Sequence, residues 1–249
     1  MRATHFKFFL LILLSAGICS GRPALAQEKK VPQESKPAQA SKAEIDTEGA
    51  SFGYRFENAR FYIPLIEIDV ASNGAGELRF KRGESDEVID RKLKLLPATM
   101  TRIRELYERT HFITSDKDYQ DEKDFSHLGW VSLSMRQGER ERKVRFNWTP
   151  NLEIRELGEI FRSVATQEMH LFDIETSQQY QPLDLPRLLD ALENDLKGQR
   201  VAEPEQMLSA LNEIAGNDTQ TLIARNHATR LADSIKKGKF KTPVKNSRQ

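Results

Sequence analysis

Residues 61–97 read FYIPLIEIDVASNGAGELRFKRGESDEVIDRKLKLLP, and this stretch decides the fold class. Its first ten residues are strand-like: Phe61, Ile63 and Leu65 alternate with Tyr62 and Pro64. The proline has no N–H to give to a ladder, which predicts an edge position or a bulge. Asn73-Gly74-Ala75-Gly76 is a turn signal. Glu77 to Arg82 alternates again, with Leu78 and Phe80 on one face. After the polar turn Gly83 to Glu87, the run Val88–Leu95 places Ile89, Leu93 and Leu95 at one parity. Three antiparallel strands are expected, followed by a helix whose first position suits Pro97.

Downstream, Met100, Ile103, Leu106, Tyr107 and Thr110 trace one helical stripe, with Phe112 and Ile113 pinning its end. An acidic loop, Ser115 to His127, comes next. Trp130–Arg136 and Arg142–Trp148 form a hairpin across Gln137-Gly138-Glu139, with Val131, Leu133 and Met135 answered by Val144, Phe146 and Trp148. Thr149-Pro150-Asn151 is a capping and first-turn proline signature for a second helix carrying Ile154, Leu157, Ile160, Phe161, Val164, Leu171 and Phe172. The order β-β-β-α-β-β-α predicts an α+β domain over 52–181: an antiparallel sheet of about five strands with two helices on one face. A helical segment over 182–238 docks on it. Leu185-Pro186 opens a helix closed by Gly198, Pro204 opens one closed by Gly216, and Asp218 caps a third closed by Gly238.

Upstream, Arg2 and Lys7 precede a 12-residue apolar run, Phe8 to Cys19, and Ala24-Leu25-Ala26 is a small-x-small cleavage site. That run as a helix spans about 18 Å, short of the roughly 30 Å hydrocarbon core. Residues 1–26 read as a signal peptide, which places the mature chain outside the inner membrane, periplasmic or extracellular. Lipidation at Cys19 is the rival processing route. Cleavage after Ala26 removes the one cysteine of the 249 residues, and with it any disulfide, thiol nucleophile or cysteine-based zinc site. Residues 27–51 hold too few large aliphatics to offset their ordering entropy and read as a disordered linker. Losing Arg2, Lys7 and Arg22 takes 38 basic residues to 35 against 37 acidic, a net charge near −2. Six basic residues fall in 236–249, so residues 239–249 read as a basic disordered tail making weak contact with anionic surfaces. The body carries no basic patch interleaved with aromatics, so no nucleic-acid partner is expected.

Gly74, Gly76, Pro97, Phe112, Asp118-Tyr119, Asp124 and Gly138 fall at the landmarks of a uncharacterised group of exported bacterial α+β proteins, which residues 60–172 resemble. The group has no established activity, so the resemblance implies a compartment and a fold but transfers no catalytic residue. Residues 204–237, with Leu-Ile-Ala-Arg-Asn-His-Ala at 222–228, resemble a single HEAT-like helical pair. One pair is too few for a solenoid and implies a cap or docking element.

For chemistry, the acidic loop is the candidate site. Asp118, Asp121, Asp124 and His127, with Trp130 just beyond, are the binding residues expected from sequence. As a calcium loop of the EF type it fails: counting from Asp116, the sixth position is Asp121 where glycine belongs, and the twelfth is His127 where glutamate belongs. His170 and Asp173 stand at i, i+3, within reach of a shared ligand. No G-x-S-x-G, S-x-x-K set, HExxH or phosphate loop occurs, so no catalytic residue, metal or cofactor is assigned. Phe61, Tyr62, Phe80, Phe146 and Trp148 could line a groove, but alternating strand aromatics are read as core. The expectation is an exported, non-enzymatic binding or protein-interaction module of the cell envelope. Its partner, an unknown protein or envelope component, would meet the acidic loop or an edge strand near Pro64. The alternatives are a metal-dependent hydrolase using residues 116–127 and a structural envelope protein.

Overall fold

The computed structural model describes residues 49–240. The expected signal peptide, most of the linker and the tail beyond Phe240 lie outside the described residues. Six strands form one antiparallel sheet: β1 (Ser51–Glu57), β2 (Leu65–Ala71), β3 (Ala75–Lys81), β4 (Ile89–Lys94), β5 (Trp130–Gln137) and β6 (Arg140–Phe146), in the order β4-β3-β2-β1-β5-β6. The fold class is therefore α+β, with one strand more than the sequence reading assigned.

That extra strand is β1, and it is central. It pairs with β2 through Phe52↔Val70, Tyr54↔Ile68 and Phe56↔Ile66, and with β5 through Phe52↔Met135, Tyr54↔Leu133 and Phe56↔Val131. The fold thus takes in the end of the span read as linker, since Ala50 is buried and Ser51 is already in the ladder. The placement of β1 also corrects the edge assigned near Pro64. β2 is interior and starts at Leu65, and the sheet edges are β4 and β6. Residues 58–64 leave the sheet as a loop closed by Asn58 N donating to the Pro64 carbonyl at 2.9 Å, and Gly83 N donates to the Tyr62 carbonyl at 2.7 Å.

Two helices cover one face. Helix α1 (Pro97–Arg109) has proline in its first turn and buries Met100, Ile103, Leu106 and Tyr107. Helix α2 (Leu152–Tyr180) is 29 residues, about 43 Å at 1.5 Å per residue. Its cap is Asn151, whose Oδ1 accepts from Ile154 N at 2.9 Å, so Pro150 lies just outside the helix. The stripe Ile154, Leu157, Ile160, Phe161, Val164 meets strand residues Phe52, Tyr54, Ile68, Leu78, Phe80 and Leu133, all buried, in one cluster. Tyr54 stacks on Phe161 at 5.6 Å between centroids, and Tyr107 meets Phe112 edge-on at 4.8 Å. Each such side chain contributes roughly 1.5–3 kcal/mol by leaving water. The opposite sheet face is polar, with Arg55 paired to Glu57 and Glu67, and Arg79 to Glu67.

The helical segment follows: α3 (Leu185–Lys197), α4 (Leu208–Gly216), entered through a 3-10 turn at Pro204–Met207, and α5 (Leu222–Lys236). Thr221, rather than Asp218, caps α5, its hydroxyl accepting from Ala224 N at 3.3 Å. Leu189, Leu192, Leu196, Met207, Leu211, Ile214 and Leu231 form a second buried cluster, which takes in Ile174 from α2. Phe240, expected in the tail, packs against it. Polar contacts tie the segment to the sheet side. Buried Glu203 accepts from Leu96 N at 2.8 Å and donates its own N–H to Gln167 Oε1 at 2.8 Å, and Gln206 donates to the Lys94 carbonyl at 2.8 Å. No helix among the described residues is long and apolar enough to cross a membrane.

Candidate functional site

The acidic loop turns three of its five carboxylates onto its own backbone. Asp118 Oδ1 accepts from Gln120 N at 3.0 Å, Asp121 Oδ1 from Lys123 N at 2.9 Å, and Asp124 Oδ1 from Ser126 N at 2.8 Å. Each is the i to i+2 turn that a short acidic side chain makes locally. Asn147, at the end of β6, clamps the loop. Its Oδ1 accepts from Gln120 Nε2 at 2.9 Å and Phe125 N at 3.2 Å, and its Nδ2 donates to Asp124 Oδ1 at 2.6 Å. Arg142 pins the start of the loop by donating to the carbonyls of Phe112 and Lys117, 2.5 and 2.6 Å away.

The candidate residues are not brought together as a ligand set. Asp118 lies on a polar hollow of about 540 Å³ with Asp116, Lys117 and Arg142, whereas Asp121 and Asp124 are not among its lining residues. His127 is exposed, and its carbonyl accepts from Asn58 Nδ2 at 3.1 Å. Trp130 lies on the sheet face opposite Val131, with the Arg145 guanidinium 4.4 Å above its ring. His170 and Asp173 also part company: His170 Nε2 is 2.7 Å from Asp195 Oδ2, and Asp173 pairs with Arg82.

Among the described residues, Asp190, Glu193 and His227 alone offer three ligand atoms within 4.8 Å of one another. Sequence reasoning did not single them out, because the pair on α3 and the histidine on α5 are 34 to 37 positions apart. Buried His227 lies between them, with Nε2 2.8 Å from Glu193 and Nδ1 3.5 Å from Asp190. Lys197 Nζ is 2.6 Å from Glu193 Oε1. That ammonium first, then His227, holds the Glu193 carboxyl below its ordinary value. The group is an ion-pair network that already carries its own cation.

An apolar cleft of about 780 Å³ opens at one end of the sheet. There β1 and β6 end, β2 and β5 begin, and the N-terminal half of α2 passes overhead. Its floor is a single register row across four strands, Ile66, Phe56, Val131 and Phe146, joined by Phe56↔Ile66, Phe56↔Val131 and Val131↔Phe146. Phe61, Tyr62 and Leu128 stand exposed at its mouth, and Trp148 closes one side. Four of the five aromatics read as core therefore line this cleft, while Phe80 is fully buried.

Two glycines shape it. Gly129 has φ +94°, and a Cβ there would come within 2.6 Å of Phe56 Cε2 and 3.0 Å of the Glu57 carbonyl oxygen. Only glycine lets the chain enter β5 so close to the floor. Gly158 is different. It sits in α2 between Leu157 and Phe161, and a Cβ there would meet nothing within 4 Å. A side chain at that position would enter the cleft instead of touching the fold. Compared with known families and curated proteins, the chain matches no family model and no curated sequence.

The α2 wall of the cleft carries Arg155, Glu159 and Arg162, all exposed. Behind it, burial pushes the Tyr54 phenol up, with the Arg162 guanidinium acting in the opposite direction. Chemically, the arrangement offers an apolar surface bordered by two guanidinium groups and one carboxylate. Its ring of lining residues includes no histidine, cysteine, serine or lysine.

Proposed function

We propose that the protein is an exported binding module of the cell envelope that holds an apolar group in the cleft floored by Ile66, Phe56, Val131 and Phe146. The observation that carries this reading is the cleft itself. Its volume falls within the roughly 300–1,000 Å³ of small-ligand pockets, and apolar lining with a few polar groups at the border is how such pockets are made. Helical glycine at 158 supports it, because a position that costs stability and meets no neighbour leaves the space above the floor open. The signal-like segment 1–26 and the resemblance of residues 60–172 to exported proteins support the compartment in this reading. The expected contact through Asp118, Asp121, Asp124 and His127 yields to the cleft, since the three carboxylates already serve as turn acceptors.

Titration with the neutral fluorophore N-phenyl-1-naphthylamine tests the reading. Saturable enhancement at one site per chain is expected, abolished by Gly158→Phe, which fills the cleft, and unaltered by Asp118→Asn. Saturable binding that persists in a folded Gly158→Phe protein refutes it.

A further inference from the structure

Resting on that reading, we propose that the ligand is an amphiphile of the fatty-acid class, its hydrocarbon chain on the sheet floor and its single anionic head against Arg155 and Arg162. Arg155, Glu159 and Arg162 are spaced four and three residues apart on α2, so they share one helix face and together line the cleft. Two guanidinium groups against one carboxylate leave one net positive charge, which matches a monoanion. Neither arginine forms an ion pair among the described residues, whereas Arg82, Arg91 and Arg102 are each held by a carboxylate from a distant element. The buried Tyr54 hydroxyl behind this wall makes no hydrogen bond among the described residues.

Two further polar side chains of the lining, Asn147 and Thr149, are already committed. Asn147 is bonded to Gln120, Phe125 and Asp124, and the Thr149 hydroxyl accepts from Asn151 N at 3.3 Å. A peptide laid on the floor would bring backbone N–H and C=O groups into a space with few partners to offer, and each unmet group is costly. A hydrocarbon chain carries none. Its head alone needs satisfying, and a carboxylate matches the flat, forked geometry of guanidinium. The mouth formed by Phe61, Tyr62 and Leu128 gives the chain an apolar path inward.

Displacement of N-phenyl-1-naphthylamine from the purified protein by decanoate, dodecanoate and dodecanol, each below its micelle concentration, tests the proposal. Dodecanoate should displace the probe at tenfold or more lower concentration than dodecanol. Affinity should rise about threefold to fourfold per added methylene between the two acids. The double substitution Arg155→Gln with Arg162→Gln, on exposed positions, should weaken dodecanoate at least tenfold more than it weakens dodecanol. Equal displacement by acid and alcohol would overturn the head assignment while leaving the cleft a binding site. An end-blocked apolar hexapeptide displacing the probe better than either acid would overturn the ligand class. Failure of the probe to bind at all would sink the cleft reading itself, a distinct result.

Discussion

Replacing Gly158 with alanine should stabilise the protein. Glycine inside a helix costs about 0.5–1 kcal/mol relative to alanine, because the unfolded chain loses more freedom on ordering and no methyl group shields the helix. Gly158 lies seven positions into the 29-residue α2, away from both fraying ends. Its φ is not in the left-handed region, and the added Cβ has no heavy atom within 4 Å, so no steric charge offsets the gain. The expected increase is therefore about 0.5–1 kcal/mol, or roughly 1–4 °C in Tm for a folded region of this size. Urea unfolding followed by far-ultraviolet circular dichroism reads it as a higher midpoint at unchanged slope. The same substitution should weaken N-phenyl-1-naphthylamine modestly, since one methyl group enters the space the probe occupies. A lower midpoint for Gly158→Ala would refute the reasoning. It would mean that something in solution fills the position, and the glycine would then be required by packing rather than by an open cleft.

Three further outcomes follow from other parts of the molecule. Gly129→Ala should destabilise by about 1–3 kcal/mol, because a Cβ at φ +94° drives into Phe56, and it should also weaken probe binding; a midpoint within error of the parent would remove the claim that the floor needs this glycine. Asn147→Ala should cost about 1–3 kcal/mol and speed amide exchange across 120–126, since Phe125 N and Gln120 Nε2 lose their acceptor; unchanged exchange would show that the clamp is redundant. Burial raises the Glu168 carboxyl, against the pull of Arg91, and burial likewise raises that of Glu203. A carboxyl raised in the folded state binds more protons there than in the unfolded chain. Stability from it is thus fullest below the ordinary value of 4.5 and is lost as pH climbs through the raised one. Glu168→Gln should accordingly show no advantage near pH 4 and a growing advantage toward pH 8, with Arg91 still held by Glu175; a urea midpoint below the parent at pH 8 would contradict this.

Where the sequence reading and the structure diverge, the causes are physical. β1 carries Phe52, Tyr54 and Phe56 in clean alternation, so its strand character was available. Its place in the sheet is not legible there, because one of its two partners, β5, lies beyond α1 and the acidic loop. Phe61 and Ile63 continue the parity of Leu65 but leave the sheet, since Pro64 cannot donate to a ladder and the Asn58–Pro64 hydrogen bond turns the chain. The cap of α2 moved from Thr149 to Asn151 and that of α5 from Asp218 to Thr221. In both cases two competent cap residues stand within three positions, and helix packing selects between them. The acidic loop drew attention by charge density alone. Density does not report convergence, and the Asn147 side chain that organises the loop sits more than twenty positions from most of it.

Local periodicity determined the α+β class, the three-strand run and the hairpin after it, the paired helices on one sheet face and the helical segment that follows. It did so because alternation and the 3.6-residue stripe are properties of consecutive residues, readable without knowing any neighbour in space. The strand order, the central place of β1 and the cleft were decided by tertiary structure alone. Phe56, Val131 and Phe146 fall on apolar parities of their strands, while β2 turns Ile66 inward in place of the Leu65 parity read from sequence, and only the register of four strands sets them in one row. A missing side chain at Gly158 acquires meaning only when that row is found beneath it, because an opening exists between two surfaces and belongs to neither one in sequence.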